Sequence, residues 1–337
     1  MSGSDWVDRG GSTRPLGSGE SSAPVADGAP DLDATVIVVS FNTRELTLAC
    51  LASVYRETRG LQFEVIVVDN ASSDGSAEAI HDEFPVVRLH ALDRNLGFGA
   101  ANNLAASSAR GEFIVLLNPD ALVTNDAVGE IVRYARGRAA VGIVGGRTLR
   151  EDGSLNPSSC WGAPSVWSVF CGAFFLSSVF PRSRFFNPIG LGRWKRDTER
   201  EVGVVSGCFL LLSRQLWRRL HGFDESFFMY GEDVDLSLRA AQLGPRPRIT
   251  PSATVVHIGA ASEHVKEEKL VRLMRSHRAI IKIHFSPLSR FLALSIHLAG
   301  MALRDLGARA IRLGNASVRY PNGAAWGKVW SRRDEWR

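Results

Sequence analysis

A chain of 337 residues with 45% hydrophobic content has the composition of a globular protein and room for one large α/β domain with extensions or two smaller ones. Its four cysteines, Cys50, Cys160, Cys171 and Cys208, show neither metal-type spacing nor a dense framework, which argues against a disulfide scaffold and for a reducing compartment. The net charge of +5 is uneven: residues 264–337 carry fifteen Lys/Arg against five Asp/Glu, so the rest of the chain is acidic by five charges.

Residues 1–33, rich in Gly, Ser, Pro and Asp, bury too little apolar surface to offset ordering entropy and read as a disordered tail. No apolar run follows the first charges, so no signal peptide is expected there. From Thr35 the chain alternates between strand and helix patterns. The runs TVIVVSF (35–41) and FEVIVVD (63–69) are continuously apolar and β-branched, as strands buried on both faces are. Helical spacing lies between them, and SDGSAEAIHDEF opens the next helix with capping residues. VVRLHA, a Gly/Asn-rich turn, the small-residue helix AANNLAASSA and the strand FIVLLN follow. This alternation predicts a parallel sheet with right-handed crossovers.

Ligands in such sheets sit beyond the carboxyl ends of the strands. Three successive strands end there in polar residues: Asp69-Asn70, Asp93-Arg94-Asn95 and Asn118-Pro119-Asp120. One such end is an ordinary turn; three point to a site. After an irregular stretch near 150–200, GVVSGCFLLLSR (203–214) reads as one strand and RQLWRRLHGFD as a helix closing at Gly222. SFFMYGEDVDLSLRAAQLG places Glu232, Asp233 and Asp235 at the start of a helix ending at Gly244, and RITPSATVVHIG carries a strand to His257.

The acidic cluster has two readings. Carboxylates at a helix N-terminus are stabilised by the macrodipole, and Asp235 with Arg239 forms an i,i+4 pair. Five large apolar or aromatic residues just upstream (Phe223, Phe227 to Tyr230) could instead desolvate a carboxylate and tune it as a base. His257, ending an apolar strand, is either a satisfied structural residue or a metal ligand paired with a carboxylate such as Asp120. Gly97-Phe98-Gly99 lacks the third glycine of a dinucleotide fingerprint and follows the wrong strand, and no phosphate-binding P-loop sequence occurs.

In order, VIVVSFN, VIVVDNASSDGS, RNLGFGAANN, LLNPDA, SGCFLLLSR, GFDESFFMYGEDVDLSLRAAQLG and PSATVVHIGAAS resemble the motifs of bacterial family 2 glycosyltransferases of the GT-A fold, in the rhamnosyltransferase-like branch. The resemblance covers residues 34–262. It implies a Rossmann-like, mainly parallel α/β sheet flanked by helices, with a nucleotide-binding half (34–122) and an acceptor and catalytic half (123–262); residues 150–200 lie outside it, as does the C-terminal tail (263–337), which reads as a basic amphipathic helical extension associated with the membrane. It also implies that Asp69 holds nucleobase and ribose, with Asn70, Ser40 and Asn42 beside it. Arg94, Asn95 and Gly97 resemble the sugar-nucleotide loop. Asp120 corresponds to the last acid of a D-x-D motif, Asn118 standing where an acid is usual, and with His257 it would hold Mg²⁺ or Mn²⁺ on the donor diphosphate. Asp233 resembles the general base, with Glu232 adjacent. Gly207 and Cys208 fall on the acceptor side, as does Trp161, to which, like Trp194, no motif assigns a partner.

The function so implied is an inverting, metal-dependent transfer of a sugar, L-rhamnose from dTDP-rhamnose, to a cell-envelope glycan or polyprenyl-diphosphate-linked acceptor. A UDP-hexose donor and a catalytically silent sugar-nucleotide-binding scaffold are the alternatives, and a homo-oligomer is compatible with either. The basic extension contains a thirteen-residue apolar run, Phe291 to Leu303, flanked by arginines. At about 20 residues for a bilayer this run is too short to span, and it reads as an interfacial helix on the anionic inner face of the cytoplasmic membrane or as a helix packed on the domain or a second copy. Its apolar interleaving disfavours nucleic acid as the partner.

Overall fold

The β-branched runs place their side chains alternately on two faces, and in the computed structural model each face meets its own helical layer. The structure describes residues 31–259, 266–313 and 321–337; residues 1–30, most of the expected tail, and 260–265, at the expected domain junction, lie outside the described residues. The first half runs β1 (Leu32–Ser40), α1 (Arg44–Glu57), β2 (Phe63–Asp69), α2 (Ser76–Glu83), β3 (Arg88–Ala91), α3 (Phe98–Ser107) and β4 (Gly111–Leu117). β1 thus begins two residues ahead of the boundary expected at 34. Then come β5 (Ala121–Thr124), α4 (Ala127–Arg136), β6 (Val144–Leu149), β7 (Cys160–Trp161), α5 (Val166–Ala173), α6 (Leu176–Val179), β8 (Arg200–Glu201), β9 (Val204–Val205) and β10 (Phe209–Ser213). The chain continues through α7 (Arg214–Arg219), α8 (Glu232–Leu243), β11 (Arg248–His257), α9 (Lys266–His284), α10 (Pro287–Leu313), α11 (Pro321–Ser331) and α12 (Arg333–Trp336).

The main sheet has the order β3-β2-β1-β4-β10-β6-β11-β5, with β8 on β11. β3, β2, β1 and β4 are parallel, as the strand–helix alternation predicts. Strand order reverses between β1 and β4, so their carboxyl ends flank the crevice where such sheets bind ligands. The second half is mixed: β10 runs antiparallel to β4 and β6, and β5 antiparallel to β11. Val36, Val38, Val65, Val67 and Val115 pack with Leu51 of α1 and Ile131 of α4 on one face. Ile37, Ile66, Ile114 and Leu116 pack with Ala101 and Ala105 of α3 on the other. At roughly 1.5–3 kcal/mol per buried branched side chain, this two-sided core fixes the parallel half, and its register sets Ser40 beside Asp69 and Asp69 beside Ala91.

One expected strand, 203–214, is two. β9 pairs with β7 in a separate ribbon, and Ser206-Gly207-Cys208 breaks the run before β10 enters the main sheet. The apolar pattern continues through the break because both pieces are buried.

α9 and α10 are tied to this frame. His284 Nε2 at the end of α9 meets Asp235 Oδ1 of α8 at 2.8 Å. On the other side α10 crosses α5 so closely that a Cβ on Gly300 would lie 2.6 Å from the Ala173 Cβ. Arg304 of α10 donates to the carbonyls of Gly172 (2.7 Å) and Ala173 (3.2 Å), closing the end of α5. α10 extends well beyond its apolar centre: Pro287–Ala310 is long and apolar enough, by length and composition alone, to cross a membrane, and a third of it is buried. The thirteen-residue run, too short to span by itself, is thus the centre of a longer helix.

Candidate functional site

Antiparallel pairing of β5 with β11 sets His257 opposite Ala121, which brings its ring to the neighbouring Asp120. His257 Nε2 lies 3.1 Å from Asp120 Oδ1, and the Ile258 N–H donates to the Asp120 carbonyl at 2.9 Å. Burial works against a charged imidazole here, but hydrogen bonding to Asp120 and Cys208 prevails and raises His257 to about 10. On the far ring nitrogen, Asn156 Nδ2 lies 3.3 Å from His257 Nδ1. The Asn156 carbonyl oxygen accepts from the Ser158 N–H at 3.1 Å, which fixes that amide.

Across the crevice, α8 starts at Glu232 behind Gly231, whose φ of +94° turns the chain into the helix. Asp233 Oδ2 accepts from the Gly207 N–H at 3.2 Å and Oδ1 from the Val234 N–H at 2.8 Å. Glu232 is 7% exposed, and its Oε2 has no hydrogen-bond partner among the described residues. Burial and the adjacent Asp233 charge push Glu232 well above the carboxylate range. Burial raises Asp233 as well, while the Gly207 and Val234 amides hold it back. Asp233 is enclosed by protein yet keeps an accessible surface, because it lines the cavity. Asp235 is different in kind. Burial would raise it, but hydrogen bonds from His284 and Arg239 keep it below the usual range, and Arg239 Nη2 meets it at 2.6 Å.

One cavity of about 1130 Å³ joins the two corners. Of the residues expected at the site, Asn70, Asn95, Asn118, Asp120, His257, Trp161, Gly207, Cys208, Glu232 and Asp233 line it. Asn70 braces the neighbouring loop: its Nδ2 donates to Asn95 Oδ1 (2.9 Å) and its Oδ1 accepts from the Leu96 N–H (2.8 Å). Asp69, 2% exposed and not part of the cavity wall, accepts from the Ser72 N–H at 3.0 Å, and among the described residues its buried Oδ1 has no partner.

Several expectations fall away from the cavity. The Ser40 hydroxyl is buried at 3.2 Å from Thr43 Oγ1 and 3.0 Å from Thr47 Oγ1, so it holds the turn into α1. Asn42, with φ of +52°, accepts from the Ser73 N–H at 2.8 Å and staples two loops. Arg94 is exposed, outside the cavity wall. Gly97 (φ +84°) does permit a close approach, but to the Phe228 carbonyl rather than to a ligand surface, and the next N–H, of Phe98, donates to that carbonyl at 3.0 Å. Trp194 packs on the core beneath Arg196 and Arg200. Conversely, α5 and α9–α11 supply much of the wall, including Lys269, Arg272, His277 and Trp326. The signal available for these was the helical spacing of Lys269, Arg272, Leu273, Ser276 and Ile280.

Among the described residues no three His, Cys, Asp or Glu side chains cluster as a metal site. Asp120 and His257 supply two adjoining donors, which fits a cation that completes its shell with ligands brought by a bound diphosphate.

Residues 35–219 match the family model described as glycosyl transferase family 2. The chain is 31% identical over 211 residues to the N-acetylglucosaminyl-diphospho-decaprenol L-rhamnosyltransferase of Mycobacterium tuberculosis, covering 59% of this chain and 67% of that protein. It is 27% identical over 168 residues to rhamnosyltransferase WbbL of Escherichia coli, covering 48% of this chain and 60% of that protein. Among solved structures, the mannosyltransferase PcManGT from Pyrobaculum calidifontis, in complex with GDP-Man and Mn²⁺, superposes with a TM-score of 0.52 at 22% identity, over 90% of this chain and 87% of that one. TarS from S. aureus superposes with a TM-score of 0.51 at 15% identity, over 79% of this chain but only 43% of that one. Both structural likenesses concern the GT-A fold.

Proposed function

The chain belongs to glycosyl transferase family 2, and from that premise we propose that it transfers L-rhamnose from dTDP-rhamnose, with inversion, to a lipid-linked cell-envelope glycan. Sugar transfer is the family's activity. The sugar and the lipid-linked acceptor follow the name of the 31% identical L-rhamnosyltransferase; the dTDP carrier is part of the proposal. The observation that carries the mechanism is the single cavity with a cation-type corner, Asp120–His257, on one side and a proton-type corner, Glu232–Asp233, on the other.

In this reading Asp233, open to the cavity, takes the proton of an acceptor hydroxyl as its oxygen attacks the anomeric carbon. The bond from that carbon to the diphosphate breaks in the same displacement, and the nucleoside diphosphate leaves with the electron pair. One displacement inverts the carbon, so a β-linked dTDP-L-rhamnose yields an α-L-rhamnoside. Burial raises the proton affinity of Asp233, the Asp233 charge in turn helps keep the neighbouring Glu232 protonated, and the Gly207 N–H orients the Asp233 carboxylate. Asp120 and His257 would hold Mg²⁺ or Mn²⁺, which when bound neutralises charge on the leaving diphosphate. The unpartnered Asp69 Oδ1 offers an acceptor for a pyrimidine N–H or a ribose hydroxyl, behind a loop braced by Asn70 and Asn95.

Leu288, Phe291 and Leu306 of α10 are 60–70% exposed beside a basic extension, which supports attachment to the anionic inner face of the cytoplasmic membrane. The test of the whole reading is a donor panel (dTDP-rhamnose, UDP-glucose, UDP-galactose, UDP-N-acetylglucosamine, GDP-mannose) scored by acceptor-dependent release of nucleoside diphosphate with and without Mn²⁺. dTDP-rhamnose should give the greatest release, and preference for a UDP-hexose would overturn the donor assignment.

A further inference from the structure

At about 1130 Å³ the cavity exceeds the roughly 300–1,000 Å³ usual for one small ligand. Its surplus lies away from the strand ends, between α5 and α9–α11. There the wall is apolar, with Val169, Leu273, Ile280 and Ile281 among its residues. Every charged residue that the C-terminal helices contribute to it is cationic: Lys269, Arg272 and Arg304. All of the carboxylates in the wall, Asp120, Glu232 and Asp233, come from the catalytic floor.

The cations are placed next to the chemistry. Lys269 lies 5.5 Å from the Tyr230 ring and Arg272 5.7 Å from the Phe228 ring, on the turn that leads directly into Glu232 and Asp233. His277 is surrounded by protein but has an open surface toward the lumen, so the arm reaches deep beside α9. Its walls are fixed at both ends, by the His284–Asp235 contact to α8 and by Arg304 on the α5 carbonyls.

We propose that this arm is a subsite for an amphiphile, with a phosphate or diphosphate at Lys269 and Arg272 and a hydrocarbon chain along Leu273, Ile280, Ile281 and Val169. This rests on the lipid-linked acceptor reading and deepens it: the acceptor's diphosphate anchors at the turn before the base, and its chain leaves through the helical extension. Charge separates the occupants. A second nucleotide would present a polar base and ribose to an apolar wall, whereas a prenyl chain matches it.

The experiment titrates the full chain with inorganic diphosphate, a short prenyl diphosphate and a long one. The long chain should bind at least about tenfold more tightly than the short one. Leu273→Trp, which fills the lumen from a half-buried position, should abolish that preference while leaving inorganic diphosphate unchanged. Ile281→Trp is the second blocking variant, and melting curves confirm that each is folded. Lys269→Gln with Arg272→Gln should weaken all three probes alike. Affinity independent of chain length, or a folded Leu273→Trp that keeps the preference, overturns the subsite. If transfer to a lipid-linked acceptor proceeds with an unchanged KM in Leu273→Trp, the subsite falls and the acceptor reading stands. If the long chain binds as described but no lipid-linked acceptor is glycosylated, the acceptor reading falls and the subsite stands.

Discussion

The two corners of the cavity hold carboxylates in opposite ways. Asp120 faces an imidazole at 3.1 Å, whereas Glu232 and Asp233 adjoin each other and share burial instead of a counter-charge. The first arrangement holds the imidazole protonated beside the acid; the second favours a proton bound on the acids themselves. The first corner is the one proposed for the cation of the leaving diphosphate, and the second the one proposed for the proton of the nucleophile. Asp235, two residues from Asp233, shows that the sequence pattern alone does not decide this. It has Arg239 and His284 as partners and acts as a structural tie.

The sharpest way to break the contrast is at the base. Asp233→Asn removes the proton acceptor but keeps the Gly207 contact geometry, so kcat should fall by at least about a hundredfold, with donor affinity by thermal shift little changed. Asp120→Asn attacks the other corner: kcat/KM should fall by about ten- to a hundredfold, and added Mn²⁺ should no longer strengthen donor binding. Asp235→Ala should act on stability rather than chemistry. It leaves His284 and Arg239 without their shared partner, at about 2 kcal/mol after allowing for the partial exposure of Arg239, read as a Tm several degrees lower.

The smallest effect carries a sign. Glu232 has a folded-state proton affinity above its unfolded one, so its contribution to stability is complete below the ordinary glutamate pKa and is lost as pH rises toward the folded value. Glu232→Gln should therefore match the parent Tm near pH 4 and exceed it at pH 8. A Glu232→Gln variant no more stable than the parent at pH 8 would mean that burial and the Asp233 charge do not hold the Glu232 carboxyl protonated as described.

The parallel half was legible because its signal is local: continuous Val and Ile runs with polar ends allow few other arrangements. The meeting of Asp120 with His257 was legible as a pairing of residue types, although only the β5–β11 register shows why they touch. For Ser40 and Gly97 sequence gives a place at a strand end or turn but not the nearest partner. In the fold those partners are Thr43 and Thr47 for one, and the Phe228 carbonyl for the other. The single strand expected over 203–214 is two because buried apolar residues flank the break on both sides, and Ser206-Gly207 is too short a signal to mark a boundary. The C-terminal wall of the cavity was hidden for a tertiary reason: α9 carries an amphipathic pattern that fits a membrane, a partner or a cavity equally well, and only its docking on α8 and the α10–α5 crossing decide among them.

The most direct test of the two-corner account is a Mn²⁺ titration of the wild type, Asp120→Asn and Asp233→Asn, each with and without dTDP-rhamnose. Two protein ligands give weak affinity by themselves, so the wild type should bind Mn²⁺ detectably only with donor present. Asp233→Asn should retain that donor-dependent binding and Asp120→Asn should lose it. Tight binding to donor-free protein, or binding that survives in Asp120→Asn and disappears in Asp233→Asn, would contradict the assignment of cation to one corner and proton to the other.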